Sequence, residues 1–211
     1  MRHAAVLLLA LAAGAPALAQ QELAANGLFL IAKPTLTDPN FARTVVLVTQ
    51  TEDASTVGVI INRPSPFSLS EFLSQEFQTQ NYRGPIYFGG PVMRQAIVAV
   101  FRSEAAPPAA AFHVLKNIYL TMHADNLKQM LATPGATYRL YAGFAGWQPR
   151  QLESEFVRDG WYILPADEAT VFRESAEGLW EELVERAVRR APRTRNSGVT
   201  MFATWSAPCA C

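Results

Sequence analysis

Cysteine is nearly absent from this chain: among 211 residues only Cys209 and Cys211 occur. They stand two positions apart at the C-terminus, so a disulfide between them would close almost no loop and cannot staple the fold. Two thiolates also fall short of the four ligands that a structural zinc site usually needs. What stays open to them is a strained Cys-Ala-Cys disulfide, a bond to another chain, or a soft metal such as Cu(I). An excess of charge is missing too. The 18 Lys and Arg residues balance 18 Asp and Glu, so no global field draws in DNA, RNA or anionic lipid. Histidine is scarce, with three in all, and His113 and His123 are the two beyond the N-terminal segment. No Gly-x-Ser-x-Gly elbow, Walker lysine loop or paired dinucleotide glycines occur, and no cofactor is expected. After the first nineteen residues no apolar run is long enough to span a bilayer, so a processed chain is not expected to be transmembrane.

Those first nineteen residues are the clearest positive feature. Met1-Arg2-His3 is a short basic start, Ala4 to Ala13 an unbroken apolar run, and Gly14-Ala15-Pro16 a helix breaker. Ala17-Leu18-Ala19 then has the small-x-small pattern of a signal-peptidase site. The sequence therefore predicts a signal peptide over 1–19, cleavage between Ala19 and Gln20, and a periplasmic or secreted product. One domain is expected over 20–190, followed by a tail over 191–211.

Within the domain, Leu28 to Ala32, Thr44 to Thr49 and Val57 to Ile61 are short apolar runs, the latter two β-branched and separated by a polar turn. They predict buried strands, the second and third as a hairpin. Ile86 to Phe88, Ile97 to Phe101, Val114-Leu115, Ile118 to Leu120, Thr137 to Tyr141 and Trp161 to Leu164 are further strand candidates. Ser68-Leu69-Ser70-Glu71 reads as a capping box opening a helix to about Phe77. Other helices are expected over about 124–131, 149–158 and 175–190. In the last of these, Leu179, Trp180, Leu183, Val184, Ala187 and Val188 form the apolar stripe, with Glu182–Arg186 and Glu185–Arg189 as surface pairs. Strands and helices mix without strict alternation, which indicates α+β architecture.

Few residues carry chemistry. Asp38 and Arg43 could clamp an anion, or Asp38-Pro39 could nucleate a turn that Arg43 braces by pairing across it. Asn62 and Arg63 follow a buried strand, a place for ligand groups or for strand-end hydrogen bonds. Gly89-Gly90-Pro91 could expose backbone N–H groups to an anion, or simply turn the chain. His123 is placed to cap the helix that follows it. Glu153 and Glu155 diverge on a helix and make no glycosidase-type pair. Trp147, Trp161 and Trp180 read as core. The arginines of 186–195 and the apolar stretch Val199 to Trp205 make the C-terminal region a candidate docking segment for an unknown protein or anionic ligand.

In order and spacing, several segments resemble the YqgE/AlgH family: Leu30-Ile31-Ala32-Lys33-Pro34 with Asp38-Pro39-x-Phe41-x-Arg43, Gly58 to Pro64, and Phe88-Gly89-Gly90-Pro91-Val92. Gly143-x-x-Gly146-Trp147, Gln151-Leu152-Glu153-x-Glu155, Trp161, Ala166-Asp167, Phe172 and Leu179-Trp180 complete the match over Leu28 to Arg190. The resemblance implies a single α+β domain whose curved, partly barrel-like, mainly antiparallel sheet is surrounded by helices. It implies no established activity. One branch is named as a regulator of alginate synthesis, and the family is usually cytosolic. The leader departs from that pattern, as do Phe101 at a position where similar proteins commonly carry histidine and Arg150 where they often carry glycine. Export would separate the chain from the chromosome, so no nucleic-acid partner is expected. The leading expectation is a non-enzymatic binding or interaction protein. The alternatives are a hydrolase or other enzyme using Asp38, Arg43, Asn62 and Arg63, and a transcriptional regulator by family naming alone.

Overall fold

In a computed structural model of the full chain, residues 26–74 and 77–190 are described. The expected signal peptide and the C-terminal tail with its cysteines lie outside them. Nine strands are found among the described residues: β1 (Leu28–Ala32), β2 (Val45–Gln50), β3 (Thr56–Ile60), β4 (Tyr87–Phe88), β5 (Val92–Arg102), β6 (Phe112–Leu115), β7 (Ile118–Thr121), β8 (Tyr138–Trp147) and β9 (Trp161–Pro165). Four α-helices accompany them: α1 (Ala124–Ala132), α2 (Gln151–Val157), α3 (Glu168–Val171) and α4 (Leu179–Arg190). The sheet runs β6-β7-β5-β8-β3-β2-β1-β9 with antiparallel neighbours throughout, and β4 joins β8 in parallel.

The continuous apolar runs of β1 and β2 follow from burial on both faces. Phe29, Ile31, Val45 and Leu47 point into a central core with Val59, Val98 and Tyr141, closed over by Leu179, Trp180, Leu183 and Ala187 of α4. Leu28, Leu30, Val46 and Val48 face the opposite way, where Leu152 and Phe156 of α2 cover them beside Trp147 and Trp161. A third cluster forms where Leu127, Met130 and Leu131 of α1 pack on Ile97, Ala99, Phe101 and Leu140. Phe101 is buried and lies 5.8 Å from the Tyr119 ring. The sheet curls until its β6 end meets the start of β1: the Gly27 N–H donates to the Val114 carbonyl at 2.8 Å, and the Thr49 hydroxyl to the His113 carbonyl at 3.0 Å. The two outer strands, β6 and β9, do not pair, so the barrel stays open.

β8 holds the two halves together. Its first part pairs with β5 and β4, its last part with β3. Gly143, at φ 72°, sits at the changeover, where a Cβ would come within 2.7 Å of the Gly90 carbonyl oxygen.

Several local expectations change. The capping box at Ser68 is present, with the Ser68 N–H donating to the Glu71 carboxylate at 2.7 Å. It opens a single 3-10 turn over Leu69–Glu71 rather than a helix to Phe77, and a second such turn covers Thr79–Asn81. Leu69 reaches the α1 cluster from the first of these turns, and Phe77 from irregular backbone between them. The last helix starts at Leu179, not near Ser175, because Gly178 at φ 67° breaks the turn before it. Glu182 pairs with Arg173, and Arg186 with Asp167, in place of the expected Glu182–Arg186 pair; Glu185–Arg189 forms as expected. Val188 is exposed rather than part of the buried stripe. After α2 the chain turns through a left-handed Asp159, at φ 60°.

Candidate functional site

The loops carrying Asp38, Arg43, Asn62 and Arg63 do come together, but most of their polar atoms are occupied. Asp38 makes the expected turn: its Oδ1 accepts the Asn40 N–H at 2.8 Å, and its carbonyl accepts those of Phe41 and Ala42. Arg43 does not pair across that turn. It forms an ion pair with Glu181 on α4 and lies over the Trp180 ring, 4.3 Å from its centroid. Asn62 is a strand-end clip, accepting the Val45 N–H at 2.8 Å and donating to the Arg43 carbonyl at 3.0 Å. Arg63 ties the loop down by donating from Nη1 to the Asn40 carbonyl at 2.9 Å and from Nη2 to that of Ala42 at 3.2 Å. Partial burial pulls its pKa below the ordinary guanidinium value.

Gly89 and Gly90 lie where β4 leaves β8. The Gly89 N–H is spent on the Ala142 carbonyl at 2.9 Å, and the Gly89 carbonyl accepts the Ile60 N–H at 2.8 Å. A Cβ on Gly89 would fall 2.2 Å from the Gly143 oxygen, and one on Gly90 2.3 Å from the Phe144 carbonyl. Close approach of two backbones explains both glycines.

The histidines and tryptophans serve the fold. His123 caps α1, its Nδ1 accepting the Asp125 N–H at 3.3 Å. The His113 ring stacks on Tyr119 at 4.9 Å and its Nε2 faces the Lys116 carbonyl at 3.0 Å. Glu155 accepts from two indoles, Trp147 Nε1 at 3.2 Å and Trp161 Nε1 at 3.0 Å. Trp180 donates to the Ala32 carbonyl at 2.7 Å. Tyr141, wholly buried, has its phenol pushed well above the usual value by desolvation. Among the described residues no group of three or more His, Cys, Asp or Glu side chains could hold a metal ion.

A wide concavity lies elsewhere, where the β2–β3 turn, the end of β8 and the start of β6 converge. It is an open trough of about 1060 Å³. Val57, Phe112, Met122 and Phe144 give it an apolar lining, and the Ala/Pro stretch over 106–111 forms one wall. Its two charged lining residues, Glu52 and Asp53, are both acidic. Asp53 is held below the usual carboxylate range by hydrogen bonds from Thr51 and Ser55. No local sequence signal marks this trough, because its walls come from segments far apart in the chain; the unstructured Ala/Pro stretch was the one available hint.

An open, curled antiparallel sheet with helices over both faces and a trough at one end defines an α+β fold whose loops, not its core, offer chemistry. The AlgH-like family model matches residues 29–191, and the chain belongs to that family. A UPF0301 protein of Streptomyces avermitilis is 33% identical over 166 residues, covering 76% of this chain and 86% of the relative. One from Xanthomonas campestris pv. campestris is 36% identical over 162 residues, covering 74% and 86%. The solution structure of the AlgH protein from Pseudomonas aeruginosa is similar with a TM-score of 0.62 at 26% identity, over 90% of this chain and 96% of that one. The crystal structure of protein DIP2367 from Corynebacterium diphtheriae shares the fold with a TM-score of 0.62 at 21% identity, over 84% and 91%. The names of these relatives state no substrate or reaction.

Proposed function

We propose that the chain is an exported, non-enzymatic binding protein whose trough receives a small amphipathic molecule with a cationic head. The trough itself carries this reading: apolar walls with a few polar groups at one rim are the usual build of a small-molecule site, and its volume is of the usual order. Glu52 and Asp53 supply the charge preference. Catalysis is disfavoured because the polar groups of the Asp38–Arg63 loops are mostly engaged in holding backbone.

A ligand that binds only the folded chain stabilises it by an amount that grows with the logarithm of its concentration over Kd, and so raises the melting temperature more the tighter it binds. Octyltrimethylammonium, octyl glucoside and octanoate can therefore be compared at equal concentration. The expected result is the largest increase with the ammonium compound and none with octanoate. Val92→Arg, at a half-open position on the trough lining, should abolish the increase and leave the unliganded midpoint within about 0.5 kcal/mol of the parent. Equal responses to all three heads, or none to any, would sink the proposal. Export is tested by fractionating cells and measuring the mature mass: a chain starting near Gln20 outside the cytoplasm is expected, and an intact Met1 inside it refutes export.

A further inference from the structure

Arg63 has a part in the fold as a loop tie, but the presence of a second arginine, Arg94, at the same residue is explained by neither the fold nor the trough. They reach the same residue from different strand ends: Arg63 donates to the Asn40 carbonyl at 2.9 Å, and Arg94 Nη2 lies 3.4 Å from the Asn40 side-chain oxygen. Both guanidinium groups also lie against the half-buried Phe88 ring, 5.7 Å and 5.4 Å from its centroid. Two like charges drawn to one residue and one ring repel rather than hold each other there. The usual remedy is a carboxylate partner, yet neither arginine makes an ion pair among the described residues. Arg43, the third cation of these loops, has one in Glu181. Asp38, the carboxylate on the same loop, has an oxygen turned to the Asn40 N–H.

The capacity for a ligand is there. A guanidinium has five N–H donors in a fixed fork, and the contacts above use two on Arg63 and one weakly on Arg94. Arg63 is immobilised by its two carbonyls, so one half of the site is built before anything binds. Arg94 is exposed and next to Met93, which is itself exposed and held at φ 45°.

We propose that Arg63 and Arg94, converging on Asn40 beside the Phe88 ring, bind a phosphate group, the N–H donors left over on Arg63 and the fork of Arg94 meeting a doubly charged tetrahedral oxyanion. This site is separate from the trough and does not depend on the function proposed for it. Gly89, Asn62 and Arg43, which the sequence offered as candidate ligand-binding residues, contribute by shaping the loops rather than by touching the anion.

The test is calorimetric titration of the full chain with inorganic phosphate, phenyl phosphate and acetate at ionic strength matched with sodium chloride. Saturable phosphate binding is expected, with acetate at least tenfold weaker. Arg94→Gln should weaken phosphate at least tenfold without moving the unliganded melting temperature, and Arg94→Lys, which keeps the charge but loses the fork, should fall between. Phenyl phosphate binding tighter than inorganic phosphate identifies an ester-borne group; equal binding identifies the free ion. Phosphate heats indistinguishable from sodium chloride, or undiminished binding by Arg94→Gln, overturns the proposal. Because Arg94→Gln leaves the trough intact, its response to octyltrimethylammonium should be that of the parent, which keeps failure of one site distinct from failure of the other.

Discussion

Gly90→Ala is expected to destabilise the protein by about 4 kcal/mol. The added methyl carbon would sit 2.3 Å from the Phe144 carbonyl carbon and oxygen, atoms of a central strand that cannot swing aside as a side chain can. Gly90 also has φ 155°, where residues with a Cβ are rarely found. Overpacking a rigid region costs about 1–3 kcal/mol and a strained backbone a similar amount, and here both act together. Gly135→Ala is the control: it too has positive φ, at 73°, but nothing lies within 4 Å of its Cβ direction. It should cost only about 1–2 kcal/mol. Urea denaturation midpoints of the two variants decide the matter. If Gly90→Ala proves no worse than Gly135→Ala, the close crossing of β4 and β8 is not as tight as described.

The second large effect is expected at Glu155. Its carboxylate accepts from the indole N–H groups of Trp147 and Trp161, both buried, and so fixes α2 against the ends of β8 and β9. Glu155→Leu leaves two N–H donors unsatisfied, at about 1–3 kcal/mol each where no water reaches them. A total loss of about 2–4 kcal/mol is expected, with a red shift of tryptophan emission as water enters to replace the carboxylate. Glu155→Gln retains one acceptor oxygen and should lose about half as much. An unchanged midpoint and emission maximum in Glu155→Leu would show that the two indoles find other partners.

How far the sequence discloses this molecule depends on the range of the interaction involved. The β1, β2 and β3 strands are legible because burial on both faces demands unbroken apolar runs, β-branched in β2 and β3, and the β2–β3 and β6–β7 hairpins because their turns are local. The His123 cap on α1 is legible for the same reason. The full length of β8 is not: beyond Tyr141 it continues through Ala142, Gly143, Ala145 and Gly146, small residues with little strand preference of their own, Gly143 being required by the close approach of Gly89 and Gly90. The parallel pairing of the two-residue β4 is a long-range fact without local signature. Arg150 shows the converse. Its place at a position where similar proteins often carry glycine was visible, and the structure gives the reason: it takes φ 66°, a left-handed turn before α2 that glycine adopts at lower cost.

The candidate sites divide in the same way. Asp38, Asn62 and Arg63 were visible as polar residues at strand ends, but only the folded chain reveals which of their hydrogen bonds are already used. Arg94 carries no motif, and its link to Asn40 spans 54 positions. Nothing in spacing could have joined them.

β8 belongs to both halves of the sheet, and this has a consequence for how the molecule comes apart. Strands β5, β6 and β7 join the ladder through their pairing with β8, and β3, β2, β1 and β9 join it from the other end of the same strand, while across the open side hydrogen bonds from Gly27 to Val114 and from Thr49 to His113 also tie the halves. Neither half can peel away while β8 stays in register with both. Loss of that one strand removes the shared edge of each half at once, and with it a wall of the trough and the pairing that holds the Val92 end of β5 beside Arg94.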